Sequence, residues 1–179
     1  MGFLEPSTNL SKTDDINLTL EGFDFCLTIR PGVCLIPVDV PRFHESFGSE
    51  LRPHLEHAFQ SAPPNCAIRA LIICNPNNPL GQCYSRAALH ECLSFCAARN
   101  LHFVSDEIYA LSVYSSVDDR VLPPFISALS LDLQETGLGM EKVHTVWSFS
   151  KDFGCSGLRL VSLHLNPFHT TETPGAHSS

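Results

Sequence analysis

Ile68-Arg69-Ala70-Leu71-Ile72-Ile73-Cys74 runs straight into Asn75-Pro76-Asn77-Asn78-Pro79-Leu80-Gly81, and this junction decides the fold. The first seven residues are apolar at nearly every position, the pattern of a parallel strand covered on both faces rather than one wetted at alternate residues. The next seven form a turn-rich loop, with two prolines that preset the backbone and a glycine that reaches dihedrals closed to other residues. A buried parallel strand needs a helical crossover to reach its neighbour, and the flanking sequence supplies helices on both sides.

Downstream, Ser85 is placed to cap a helix in which Leu89, Cys92, Leu93 and Cys96 recur at helical spacing as far as Arg99-Asn100. A short apolar strand follows at 101–104 and ends in Ser105-Asp106-Glu107-Ile108-Tyr109. Residues 115–142 read as a variable connection with a helix over 125–133, and 143–149 as another buried strand that delivers Ser150 and Lys151. A last strand is expected over 158–165. Upstream, Ser49 is expected to cap a helix with Leu51, Leu55 and Phe59 on one stripe, stopped by Ala62-Pro63-Pro64-Asn65. Residues 33–40 are β-branched, but Pro37 demotes them to an edge or irregular strand. Residues 24–29 read as a short extended piece, and 1–22 as a polar extension or linker without chemistry.

Strands alternating with helices give an α/β fold: three layers, a mainly parallel sheet with helices on both faces. A chain of 179 residues with 44% hydrophobic content suits one such domain. Its net charge of −8 and lack of any basic run argue against a nucleic-acid or anionic-membrane surface. Eight cysteines form no C-x-x-C pair, and most sit in apolar periodic segments, as reduced thiols do. Cys92 and Cys96, one helical turn apart, lack a second ligand pair at zinc-site spacing, so no metal is expected. No basic, apolar leader and no run of membrane-spanning length occurs in the sequence. The expectation is a soluble cytoplasmic protein.

In parallel sheets ligands sit at the carboxyl ends of the strands, and here each such end carries polar residues. Asn78 follows the first strand, Asp106 and Tyr109 the second, Ser148, Ser150 and Lys151 the third, with Arg159 eight positions after the lysine. The chain has three lysines, Lys12, Lys142 and Lys151, and only the last ends an apolar strand. Desolvation there disfavours the ammonium and favours the amine that attacks carbonyls. A cofactor with a reactive aldehyde, a pyridine nitrogen, a phenolic oxygen and a phosphate would use all these groups, and pyridoxal phosphate is that molecule. Arginine and serine hydroxyls suit its phosphate. Read singly, each residue has an ordinary alternative. Asn78 fits a turn, Asp106 a cap, Tyr109 the core, Ser148 and Ser150 a strand end, and Arg159 a surface ion pair.

The strings NPNNPLG, VSDEIYA and SFSKDFGCSGLR resemble the fold-type I, class I/II aminotransferases, and within them the branch of 1-aminocyclopropane-1-carboxylate synthase and its fungal synthase-like relatives. The resemblance spans about 22–163 and implies part of the large domain of a pyridoxal-phosphate transferase, at 23–165, followed by an unstructured tail at 166–179. It implies that Lys151 is the Schiff-base lysine and that Asp106 pairs with the pyridine nitrogen. Asn78 and Tyr109 would hold the phenolic oxygen, and Ser148, Ser150 and Arg159 the phosphate. The implied reaction is at the α-carbon of an amino acid: transamination, with ring closure or carbon–sulfur cleavage by a lyase as alternatives. A homodimer is also implied.

The upstream phosphate-binding turn, the ring-stacking aromatic and the arginine for the substrate carboxylate have no counterpart in the sequence. A sheet lacking strands is expected to have open edges. These departures leave a second reading, an inactive remnant or partner-binding module. A nucleotide-binding domain fits poorly, because no glycine-rich phosphate loop follows any strand.

Overall fold

The computed structural model describes residues 15–20, 33–64, 67–114 and 123–165. They form one six-stranded sheet, in the order β2-β1-β3-β4-β5-β6. The strands are β1 (Asp15–Leu20), β2 (Val33–Pro37), β3 (Ala67–Cys74), β4 (His102–Asp106), β5 (Val143–Ser148) and β6 (Val161–Leu165). β1 pairs in parallel with both β2 and β3, and β3, β4 and β5 continue the parallel ladder. β6 alone runs antiparallel, against β5. The α/β, mainly parallel architecture expected from the β3 junction is the one observed.

β1 corrects the reading of 1–22 as linker. DINLTL alternates Ile16, Leu18 and Leu20 with Asp15, Asn17 and Thr19, a period of two that marks a strand. Its register slips by one between Ile16 and Asn17, which accommodates an irregularity against β3. β2 ends at Pro37 and lies at one edge of the sheet, as a proline-terminated strand should. The extended piece expected at 24–29 and the tail at 166–179 lie outside the described residues.

Helix α1 (Leu51–Gln60) buries Leu51, Leu55 and Ala58 on its inner stripe. It is not capped by Ser49, because a 3-10 turn over Phe43–Phe47 leads into it and its first flanking residue is Glu50, without a side-chain cap. Helix α2 (Arg86–Arg99) starts as expected: the Ser85 hydroxyl accepts from the Ala88 amide at 3.1 Å. It ends where Asn100 turns left-handed (φ 58°), and the Leu101 amide returns to the Cys96 carbonyl at 2.9 Å. The two helices pack on each other and on the sheet face of Leu71, Ile73, Phe103 and Val143, all fully buried. Cys92 and Cys96 are core residues too. Their burial pushes both thiols far up from the ordinary range, which suits packing rather than ligation.

The helix expected over 125–133 is absent. A single 3-10 turn (Ala128–Ser130) stands there, flanked by extended residues Ser127 and Leu131. Two of its backbone groups are already engaged: Asn75 Nδ2 donates to the Ile126 carbonyl, and the Ala128 amide donates to Glu107. β4 runs two residues further than expected, to Asp106. Beyond β5, Ser148 starts a one-turn helix, α3 (Phe149–Asp152). β6 begins only at Val161, after a 3-10 turn at Ser156–Leu158 and a left-handed Arg159 (φ 53°). The outer side of β6 has no strand among the described residues, and its Val161 and Leu163 are 65% and 52% exposed, as expected of an open edge. No described helix is long and apolar enough to cross a membrane.

Candidate active site

Parallel register aligns the carboxyl ends of β3, β4 and β5: Cys74 lies beside Asp106, and Asp106 beside Val146. The polar residues that leave these strands therefore collect along one rim of the sheet.

At the β3 end, Asn75 is fully buried and acts as a junction. Its amide donates to the Asp106 carbonyl (2.9 Å), its Nδ2 to the Ile126 carbonyl (3.1 Å), and its Oδ1 accepts from the Tyr84 amide (3.1 Å). The loop beyond is closed by Asn77, whose amide donates to the Gln82 carbonyl and whose Oδ1 accepts from the Leu80 amide at 3.2 Å. Asn78 stands exposed at the tip of this loop.

The β4 end carries two adjacent carboxylates in different surroundings. Asp106 is half-buried, and its burial pushes the carboxyl above the ordinary range, opposed by the Ile108 amide that donates to Oδ1 at 3.1 Å. Its charge and the burial of Cys74 together push that thiol up to about 11, burial being the larger cause. Glu107 is 6% exposed and points to the 3-10 turn, accepting from the Ser127 hydroxyl at 2.7 Å and the Ala128 amide at 2.8 Å. Burial raises its carboxyl as well, against these two donors. Tyr109, half-buried, lies in the turn that follows.

The β5 end carries the lysine. Ser148 is 3% exposed, and its hydroxyl accepts from the Ser150 amide at 3.2 Å, capping α3. Lys151 projects from α3 with Nζ 6.0 Å from the centre of the Tyr109 ring. Lys151 is exposed, so the desolvation expected from a strand-end position is not present. The next residue, Asp152, accepts from Trp147 Nε1 and from the Leu111 amide, and so links this turn to the one after Tyr109.

The fold thus brings Asp106, Tyr109, Ser148, Ser150 and Lys151 to two adjacent strand ends, with Asn78 on the loop from a third. Arg159 is exposed in the segment leading to β6. An amine, a carboxylate, a phenol, hydroxyls, an amide and a guanidinium leave these strand ends, and their chemistry suits the aldehyde, ring nitrogen, phenolic oxygen and phosphate of pyridoxal phosphate. The upstream phosphate-binding turn and the stacking aromatic have no counterpart among them. Sequence reasoning missed Asn75, Glu107 and Asp152, which hold the rim together. Their only signal was position, each lying directly beside a residue already singled out or at the end of a strand.

Residues 37–166 match the family model described as aminotransferase class I and II. A probable aminotransferase of Aspergillus oryzae, aclI, is 41% identical over 139 residues, covering 78% of this chain and 33% of that protein. A 1-aminocyclopropane-1-carboxylate synthase of Malus domestica is 34% identical over 151 residues, covering 81% and 30%. Among solved structures, an aromatic aminotransferase from Pyrococcus horikoshii OT3 superposes with a TM-score of 0.58 at 26% identity, covering 88% of this chain and 38% of that one. The fold alone is shared with an aspartate aminotransferase from Rhodobacter sphaeroides, at a TM-score of 0.60 and 21% identity over 86% of this chain and 36% of that one. The chain spans about a third of the length of the curated relatives it matches.

Proposed function

Because the chain belongs to the class I and II aminotransferase family of fold type I, we propose that it is part of the large domain of a pyridoxal-phosphate enzyme acting at the α-carbon of an amino acid. That part takes in β1 (Asp15–Leu20) along with 23–165, since β1 pairs inside the same sheet. Transamination is the leading reaction, with elimination, including carbon–sulfur cleavage, as the alternative within the family. A cytoplasmic location and pairing with a second copy belong to the same proposal.

The observation that carries the reading is Lys151 Nζ 6.0 Å from the Tyr109 ring, on the strand end next to Asp106. When bound, pyridoxal phosphate supplies an electron sink for charge developing at the α-carbon. The residues of the chain do the rest. Lys151 Nζ would hold the cofactor's aldehyde carbon and is the chain's candidate base for the α-proton. The Asp106 carboxylate would pair with the cofactor's ring nitrogen, and Tyr109 and Asn78 would hold its phenolic oxygen. Ser148, Ser150 and Arg159 would bind the phosphate, the forked guanidinium suiting its oxygens.

The test is to mix the purified chain with pyridoxal phosphate, reduce with borohydride and locate the label by peptide mass. Label on Lys151, absent in Lys151→Ala and not transferred to Lys12 or Lys142, supports the reading. Equal labelling of all three lysines would sink it and leave an inherited but inactive site.

A further inference from the structure

Lys151 stands on α3, four residues long, and one helical turn has little stability of its own because nucleation costs more than its few hydrogen bonds return. Its place therefore depends on contacts beyond the turn itself, and the ones that reach far along the chain come from the residue next to the lysine. The Asp152 carboxylate accepts three hydrogen bonds: from Trp147 Nε1 (2.8 Å), from the Leu111 amide (3.0 Å) and from the Ser112 hydroxyl (2.5 Å). Two of those donors lie about 40 residues away, in the turn that carries Tyr109. That turn is fixed at its base by the Glu107 amide donating to the Val146 carbonyl of β5 (2.8 Å), and closed by the Ser112 amide donating to the Tyr109 carbonyl (3.0 Å).

We propose that Asp152 is the positioning residue for Lys151. It bolts the one-turn helix to the end of the Tyr109 turn and so sets the lysine amine against the Tyr109 ring. The inference rests on the reading of Lys151 as the cofactor lysine. Charge strengthens the bolt, since hydrogen bonds to a carboxylate exceed those to a neutral acceptor. Burial raises the Asp152 carboxyl, but the donors from Ser112, Trp147 and Leu111 outweigh it and hold the group below the ordinary range, so it is ionised at neutral pH.

Trp147 is the single tryptophan of the chain, so its emission reports on this contact without any cofactor. Two variants separate geometry from charge. Asp152→Ala removes both acceptor oxygens and with them all three hydrogen bonds, whereas Asp152→Asn keeps an oxygen for Trp147 and Leu111 and turns an amide toward the Ser112 hydroxyl. In the chain alone, Asp152→Ala should shift the Trp147 emission and speed hydrogen exchange at the Leu111 amide by about tenfold or more, while Asp152→Asn stays within about threefold of the parent. With pyridoxal phosphate and borohydride, the label on Lys151 should fall by about tenfold in Asp152→Ala and stay within about threefold in Asp152→Asn.

Undiminished labelling in Asp152→Ala would overturn the proposal, as would an unchanged Leu111 exchange rate or an Asp152→Asn variant as poor as the alanine. A parent chain that takes no label at Lys151 would instead sink the functional reading, and the positioning role with it. Should Asp152→Ala not fold, Ser112→Ala removes one donor and is read in the same way, with an expected loss of about two- to fivefold in labelling.

Discussion

Asp106 and Cys74 sit side by side on neighbouring strands, and the Asp106 charge acts on the Cys74 thiol. Removing the charge in Asp106→Asn should lower the Cys74 thiol from about 11 while leaving it above the ordinary cysteine range, because burial is the larger of its two causes. The side-chain carbon resonance of Cys74 followed against pH reads this directly, without cofactor. An unchanged thiol would mean that the two groups do not sense each other. At this scale the candidate chemistry was legible in the sequence. Lys151 and Tyr109 belong to scarce residue types, and with Asp106 they follow strands at the end where parallel sheets put their ligands. The exposure of Lys151 was not legible, nor was the carboxylate beside it bonding to residues 111 and 112, since contacts across 40 positions leave no local pattern.

Elements formed where local chemistry and tertiary packing agree, and α2 is the clearest case. Its Ser85 cap, its Asn100 terminus and its buried Ala88, Leu89, Cys92 and Leu93 all specify the same helix. Ser85→Ala should cost about 1 kcal/mol, the usual loss for a cap hydroxyl. Leu93→Ala should cost about 2–5 kcal/mol, since the site is fully buried and its neighbours cannot all close the cavity. Denaturant unfolding of the two variants checks both values, and a smaller loss for Leu93→Ala than for Ser85→Ala would contradict the packing described. The segment 125–133 shows the opposite case. Its apolar residues suggested a helix, but Asn75 and Glu107 claim the backbone of Ile126 and Ala128 and hold it as a single turn.

Across the whole molecule, buried titratable groups of both signs shape the pH dependence of stability. His102 and His144 meet across β4 and β5, with Nδ1 and Nε2 2.9 Å apart, and burial lowers both below the ordinary histidine value. Their contribution is therefore complete above the unfolded pKa near 6.5 and is lost as pH falls through the lowered folded values. Asp106 and Glu107 act in the other direction. Their raised carboxyls contribute stability that is complete below the unfolded pKa near 4 and is lost as pH rises through the folded values. Unfolding free energy measured against pH should fall below pH 6.5 in the parent, and this fall should flatten in His144→Gln. The loss at rising pH should be smaller in Glu107→Gln, which keeps both hydrogen-bonding positions without the charge. By itself the sequence determined the parallel α/β core, the capped helix and the strand-end polar clusters, because these follow from hydrophobic period, cap residues and turn chemistry, all local. Only the tertiary structure decided that β1 belongs in the sheet, that 125–133 is not a helix, and that Asn75, Glu107 and Asp152 hold the rim. The alternation of DINLTL marks β1 as a strand but not its neighbours, and the other two depend on polar groups finding partners far along the chain, which leaves no periodicity to read.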